Sequence, residues 1–258
     1  MAASLSPMGI LVRRHDPDRF FCALFAPVAQ REVLFTLYAF NHELARAREA
    51  ASEPTLALIR LHWWREVVEG ASRRHEVATP LAEAIAQGLL VPEDLLAMID
   101  GRECETEGMF ATTDEWLGYL KAIAGRVMVA AGRCLGAREV DRLLVLGAAY
   151  GVAGQLRSVG VLARAGRCQL PADALAAGGM TADDVIAYRH PDRLLGVMRG
   201  LAGQGRAMLR DAGGGLPSAA ALPAVLARRD LRRIGAPLRP RGVGDRLAVL
   251  MAALLGRI

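Results

Sequence analysis

Apolar side chains recur every three or four residues along most of this chain, and no stretch alternates with the period of two that marks a half-buried strand. One clear example follows a Ser-Glu-Pro break, a combination that suits the start of a helix. Its apolar residues fall on one face, which we expect to be buried: Leu56, Ile59, Trp63 and Val67. The chain is therefore built mainly from amphipathic helices.

Prolines and glycines mark where one predicted helix ends and the next begins. The predicted helices are one ending near Ala26, one from Pro27 to about Glu49, and others over 56–69, 80–87, 92–109, 114–134 (capped by Asp114) and 138–163, then one from Pro191 and a final pair split by Pro237 and Pro240. Small residues are frequent over 138–163, and they allow close backbone approach, so we place that helix at the centre of a bundle. The prediction is an all-α single domain, with its core over 10–212 and a Gly-rich linker and basic C-terminal helices over 213–258.

Composition narrows the class of protein. Apolar residues make up 53 % of the 258 positions and aromatic residues 5 %, as expected for a packed helical protein. The four cysteines lie far apart without a C-x-x-C pair, which predicts free thiols and no zinc site. No signal-like leader opens the chain, and no apolar run approaches the roughly 20 residues of a spanning helix. We therefore expect a soluble, cytoplasmic protein.

Positive charge is concentrated near the C-terminus. The formal net charge is +5, and seven arginines lie between 228 and 246. Neither an aromatic platform nor a recognisable reading helix accompanies them, so we expect no nucleic-acid partner. Two interpretations remain open, a solvated basic face or a contact with anionic lipid or an acidic protein. With the short apolar helix at 247–255, this end could make peripheral contact with the inner face of a membrane.

Four motifs carry a resemblance to a known family. They are His15 to Phe21, Tyr38-Ala-Phe-Asn41, Arg60-x-x-Trp-Trp64 and Gly166-Arg-x-x-Leu-Pro171. In this order and spacing, over about residues 10 to 190, the chain resembles the squalene/phytoene synthase family. The resemblance implies the α-helical isoprenoid-synthase fold, a bundle around a central cavity that holds prenyl diphosphates.

Active members of that family carry two Asp-x-x-x-Asp motifs on facing helices. Residues four apart lie on one face of a helix, so two carboxylates can converge on Mg²⁺ ions that neutralise a diphosphate leaving group. By the resemblance these positions are Ala45 and Glu49 in the first motif, and Ser158 and Leu162 in the second. One glutamate cannot assemble a multi-Mg²⁺ site. We therefore predict no catalytic residues, no metal ligands and no cofactor, with Mg²⁺ required only if the protein is an enzyme after all.

Other positions also depart from the family pattern. Asn41-His42 stands where the family often has Cys-Arg, and Asp16 and Asp18 stand where it tends to have hydroxyl residues that touch phosphate, which a carboxylate would repel. The resemblance implies these cavity or ligand-binding residues: His15, Tyr38, Asn41, His42, Glu49, Trp63, Arg157 and Arg167.

Each of these residues also has a purely structural interpretation. His42 is more simply a hydrogen-bonded structural histidine, and Trp63 and Trp64 are mostly core. Arg157 and Arg167 could bind an anion in the cavity or pair with Glu43 or Glu49. The acidic cluster at 103, 105 and 107 has no evident basic partner, and alternate residues on a helix point apart, so it predicts no shared metal site.

Within the family the chain resembles a branch with the same losses, the mitochondrial assembly factor of respiratory complex I with a phytoene-synthase fold. The shared pieces are Ala39-Phe-Asn-x-Glu-Leu-Ala45, Ser52-Glu53, Arg60-x-x-x-Trp64 and Leu170-Pro-x-Asp173. This implies a non-catalytic assembly factor with a respiratory-complex subunit as its partner. Two alternatives stay open: a prenyl transferase that condenses two prenyl diphosphates in squalene, hopanoid or carotenoid synthesis, and an isoprenoid- or lipid-binding protein.

Overall fold

The computed structural model describes residues 5–49, 51, 53–106, 108–213, 218–236 and 239–256, and within these ranges every regular element is a helix. The α-helices are α1 (Pro7–His15), α2 (Pro17–Ala23), α3 (Val28–Glu49), α4 (Pro54–Val68), α5 (Ala78–Ala86), α6 (Pro92–Glu103), α7 (Thr113–Leu120), α8 (Arg126–Cys134), α9 (Val140–Arg164), α10 (Ala172–Ala177), α11 (Ala182–Ile186), α12 (Pro191–Asp211), α13 (Pro223–Arg232) and α14 (Val243–Leu255). The predicted all-α class is confirmed.

Local chemistry explains where several helices begin. Proline occupies the first turn of α1, α2, α4, α6, α12 and α13, where its missing amide hydrogen costs nothing. The hydroxyl of Thr112 accepts a hydrogen bond from the Glu115 amide, and Glu115 reaches back in a capping box. The predicted cap at Asp114 is therefore wrong by two residues, because the threonine hydroxyl closes the helix first.

The helix predicted over 114–134 is interrupted. Between α7 and α8 the chain forms a π-helical turn over 121–125, and this turn packs along α9. The backbones touch at two glycines: a Cβ on Gly125 would lie 2.7 Å from the Leu144 carbonyl oxygen, and one on Gly147 would lie 2.6 Å from the Ala124 carbonyl oxygen. The irregular turn thus lets one chain segment lie directly against the other.

Helix α9 is the central helix, as predicted. It packs against α7, α8, α11, α12 and α13 as well as the π-helical turn. Among the described residues it is the one helix long and apolar enough to cross a membrane by length and composition. Because so many elements pack around α9, core packing explains its apolar character.

A second part of the core surrounds α3. Helices α1, α4, α5, α6 and α8 all pack on it, and its residues from Leu34 to Asn41 are buried without a break. Helix α8 packs against both α3 and α9 and so lies between the two parts of the core.

The buried stripe predicted on the tryptophan helix is partly wrong. On α4, Leu56 is 44 % exposed and Ile59 is 61 % exposed, whereas Trp64 is buried against Phe40. The side chains that face the core are Ala57, Leu61, Trp64, Val67 and Val68. A second set of apolar residues at helical spacing, centred on Trp64, is the one that packs against the core.

Several predicted boundaries also shift. Helix α5 begins at Ala78 rather than at Pro80, and α6 ends at Glu103 and continues as a 3-10 turn over 104–106 rather than as a helix toward 109. Ser52, Pro237, Gly214 and Gly215 lie outside the described residues.

The contact between α9 and the π-helical turn yields a matched test. Gly147→Ala should lower the free energy of unfolding by about 2 kcal/mol, because its methyl group has no room against backbone atoms. Gly154→Ala on the same helix should raise it by up to about 1 kcal/mol, since a Cβ there meets no atom within 4 Å and alanine favours the helix. Chemical denaturation of both variants measures the difference; equal effects would contradict the close backbone contact.

Candidate functional site

Two histidines named from the sequence come together where α1 ends. The rings of His15 and His42 stack, with centroids 4.2 Å apart and planes inclined by 19°. Burial, and then the charge of His15, lower the pKa of His42 below its ordinary value, so that ring is neutral near pH 7. Its Nε2 atom is buried and has no hydrogen-bond partner in the described part of the chain. The His42 ring is therefore held by burial and by stacking on His15.

Arg19 of α2 fills the space between α3 and α9. Its guanidinium carbon lies 4.8 Å from the ring centre of Tyr150 on α9 and 5.8 Å from that of Tyr38 on α3. Asp16 holds the arginine through an ion pair of 2.8 Å and also caps α2 through the Arg19 amide. Burial raises the pKa of both tyrosines, so they remain neutral phenols. A structural cation and two rings therefore occupy this part of the interior.

A second internal ion pair lies beside α9. Glu105 accepts hydrogen bonds from Arg102, at 2.6 Å, and from the Tyr119 hydroxyl, at 2.5 Å. Gln155 of α9 donates to that same hydroxyl at 3.4 Å. Glu103 accepts a hydrogen bond from Arg65 at 2.8 Å. The prediction that this acidic cluster has no basic partner is therefore wrong for residues 103 and 105, while residue 107 lies outside the described residues.

The C-terminal segment places an arginine between two carboxylates that are far apart in sequence. Arg241 donates to Asp18 of α2 through Nη2, at 2.7 Å, and Nε, at 2.9 Å. It donates to Asp230 of α13 through Nη1, at 2.7 Å, and Nη2, at 2.8 Å. Arg157 of α9 donates to Asp230 at 3.2 Å. We call these four residues the carboxylate–arginine network.

Most of this network is buried. The side chains of Asp230 and Arg241 are 5 % and 15 % exposed. Burial alone would lower the pKa of Arg241, but its hydrogen bonds to Asp230 and Asp18 outweigh that effect and raise the pKa above its ordinary value. Both carboxylates are thus bound by Arg241, and Arg157 adds one longer contact to Asp230.

This network contradicts two predictions made from the sequence. Arg157 pairs with Asp230 and not with Glu43, which pairs with Arg46 instead. Asp18, expected only to repel phosphate, is itself bound by Arg241. The segment where the resemblance implies a phosphate clamp is used for internal contacts.

The four positions of the metal motifs provide no ligand set. Ser158 donates to the Gly154 carbonyl of its own helix at 2.9 Å, and Leu162 lines a cleft of only about 10 Å³ together with Arg167. Ala45 is half-buried on α3; Glu49 is the last residue of that helix, and its side chain lies outside the described residues. Within the described residues no three His, Cys, Asp or Glu side chains lie together as a metal group would need. These side chains do not fit the Mg²⁺ ions that the resemblance implies.

The remaining predicted residues pack elsewhere. Asn41 is buried on α3. Trp63 packs edge-on against Trp64, with ring centres 4.8 Å apart, and against His75 at 5.6 Å. These contacts place Trp63 between α4 and the start of α5, where it acts as core.

Open volume lies on another side of α9. A cavity of about 1020 Å³ is bounded by α9, α12, α13 and the start of α14, and Arg157 lies at its wall. Apolar side chains from α9 and α12 form much of the lining: Leu156, Val159, Val161, Leu194, Leu195 and Met198. At its rim Tyr188 has φ +52°, a left-handed conformation that costs energy for a residue with a side chain. A pocket of this size suits a small apolar or amphipathic ligand.

Sequence reasoning missed four residues that organise the interior: Arg19, Tyr150, Asp230 and Arg241. One signal was present. Asp230 is the single acid among the five charged residues of the run Arg228-Arg-Asp-Leu-Arg-Arg233, where arginine partners are close at hand. The pairing of Arg241 with a residue 223 positions earlier leaves no local pattern.

Comparison with known proteins agrees with this fold. The family model for squalene/phytoene synthase matches residues 12–250. A dehydrosqualene synthase structure superposes with a TM-score of 0.78 at 15 % identity, covering 96 % of this chain and 94 % of that one. A squalene synthase from Alicyclobacillus acidocaldarius superposes with a TM-score of 0.69 at 19 % identity, covering 96 % and 92 %.

Two kinds of curated relative are similar in sequence. Human NADH dehydrogenase (ubiquinone) complex I assembly factor 6 is 25 % identical over 210 residues, which cover 78 % of this chain and 63 % of the relative. Phytoene synthase from Pseudescherichia vulneris is 26 % identical over 264 residues, covering 89 % and 84 %. The chain thus spans less than two thirds of the assembly factor's length. The family match over nearly the whole chain, with the same helical fold, makes this protein a member of the squalene/phytoene synthase family.

Proposed function

We propose that this protein is a non-catalytic member of its family that acts in the assembly or maturation of a respiratory membrane complex. The carboxylate–arginine network carries the proposal. A prenyl diphosphate needs free cations and metal ions around its phosphates, whereas here Arg157 and Arg241 are already neutralised by carboxylates of the same chain. The similarity to complex I assembly factor 6 supports the choice of process. In this proposal the protein acts on the cytoplasmic side of a membrane, with a subunit of the complex as its partner.

The chemistry at the motif positions supports the same proposal. Asp-rich motifs work by bringing several carboxylates to one cluster of metal ions. Leu162 places an apolar side chain where a metal ion would need an oxygen ligand. Arg19 and two tyrosines fill space between α3 and α9. The motif positions thus supply at most one carboxylate, Glu49, to hold Mg²⁺ beside a diphosphate.

A second candidate function has an observation in its favour. The cavity of about 1020 Å³ beside α9 is lined by apolar side chains of α9 and α12 and by several arginines, among them Arg164 and Arg239, which gives it the size and lining for an isoprenoid or lipid with an anionic head. A lipid-binding role needs no Mg²⁺. An active prenyl transferase, the alternative supported by the similarity to phytoene synthases, needs it.

Calorimetric titration with a non-hydrolysable farnesyl diphosphate analogue, with and without Mg²⁺, separates these functions. We expect no strengthening of binding by Mg²⁺, because the motif positions lack a carboxylate set. Strengthening by tenfold or more, about 1.4 kcal/mol, would overturn the non-catalytic proposal. Binding that is tight and independent of Mg²⁺ would favour the lipid-binding function.

The network predicts a gain of anion binding on removal of one carboxylate charge. Asp18→Asn should raise the affinity for inorganic pyrophosphate about tenfold, because Arg241 loses one of its two carboxylates and repulsion of the incoming anion falls. Asp192→Asn, on the cavity wall, removes the same charge outside the network and should change the affinity much less. Titration of both variants with pyrophosphate measures this. Equal effects would show that internal pairing is not what keeps anions away.

The process itself is tested in the cell. Deletion of the gene should lower the NADH:quinone oxidoreductase activity of the organism's membranes and the amount of assembled complex, and a plasmid copy should restore both. An Ala45→Asp, Ser158→Asp, Leu162→Asp triple variant provides a matched control, since it restores acids at the motif positions that this function does not use. Normal complex levels in the deletion strain, together with a loss of squalene or carotenoid, would assign the protein to prenyl transfer instead.

A further inference from the structure

The last helix, α14, has the reverse of the usual arrangement of large and small apolar residues. Its outer face carries Val243, Leu247, Leu250, Met251 and Leu254, which are 83, 53, 37, 46 and 71 % exposed. On its inner face the apolar residues are Val249 and three alanines at 248, 252 and 253. A helix that belonged only to the core would turn its leucines inward. The bulky stripe is therefore left for something outside the chain.

The stripe is continuous along the helix. Positions 243, 247, 250, 251 and 254 follow one another at intervals of one to four residues and lie within one third of the helix circumference. They form a convex ridge about three turns long, and no acidic residue lies on it, since the one acid of α14, Asp245, is buried on the opposite face. A convex apolar ridge suits insertion into a soft surface.

The residues that lead into the ridge carry an excess of positive charge. Residues 228–246 contain seven arginines and two aspartates, an excess of five that equals the net charge of the whole chain. Asp245 accepts hydrogen bonds from Arg229, at 2.6 Å, and Arg233, at 3.0 Å. Asp230 is the other aspartate, and the network already binds it. Arg239 and Arg246 are exposed on either side of the start of α14, so both acids are neutralised inside and the outward charge is cationic.

We propose that the outer face of α14 binds the surface of an anionic phospholipid bilayer, with its apolar ridge among the acyl chains and its arginines at the phosphates. Charge complementarity selects this occupant. A second copy of the chain, pairing α14 with α14, would bring two sets of arginines together and is opposed by their repulsion. The inference does not depend on the proposed assembly function, since lipid binding by this face is measured without diphosphate, Mg²⁺ or a respiratory complex.

Flotation of the full chain with lipid vesicles tests the inference. We expect the protein to float with vesicles of phosphatidylcholine containing phosphatidylglycerol, and to bind vesicles of phosphatidylcholine alone at least tenfold more weakly. Leu247→Ser with Leu254→Ser should lower binding to the anionic vesicles at least tenfold. Leu56→Ser with Ile59→Ser removes exposed apolar residues of α4 and should leave binding unchanged.

A charge variant supplies an independent arm. Arg239→Gln with Arg246→Gln should reduce binding to the anionic vesicles and make it less dependent on salt. Undiminished binding by the leucine variant, or no binding by the unchanged protein, would overturn the inference. The inference would also be overturned if light scattering showed that the unchanged protein is a dimer and that the leucine variant is a monomer, because the ridge would then be an interface between copies.

Discussion

The close contact between α9 and the turn over 121–125 is the constraint on which the other helices depend. Gly147 and Gly125 bring two backbones together at distances that no side chain would permit. Because α9 lies this deep, α7, α8, α11, α12 and α13 can all reach it. Because α9 is long, three of its residues each take part in a different internal cluster: Tyr150, Gln155 and Arg157. The interior chemistry of the protein is thus arranged along one helix.

Internal neutralisation of charge is the common feature of those clusters. Asp16 binds Arg19, Glu105 binds Arg102, and two aspartates bind Arg241. A diphosphate site requires the opposite condition, cations held in place without internal partners so that the ligand supplies the negative charge. Under the non-catalytic function that we propose, fixed carboxylates take the place of the ligand's negative charge, so the fold stays intact without a diphosphate.

The sequence was sufficient for the class of fold, the family and the central position of α9, because helical periodicity and the Gly-Arg-x-x-Leu-Pro motif are local signals. It was less informative for α4, where two apolar sets share one helix and only tertiary packing decides that Trp64 and not Ile59 is buried. The partners of Arg157 and Asp18 were out of reach, since pairing across 73 and 223 residues depends on the folded path of the chain. Of the candidate ligand residues, the structure brings His15 and His42 into contact with each other and packs Trp63 against Trp64.

The position of Arg241 also affects how α14 can behave. This arginine lies two residues before the helix begins, and its side chain reaches back to α2 and α13. Movement of the helix away from the body would remove the cation from two mostly buried carboxylates, at a cost on the order of 3 kcal/mol. The start of α14 is therefore held in place, and the ridge is already folded and oriented when it contacts the bilayer. Little conformational entropy is lost on contact, so even a short helix can make a durable attachment.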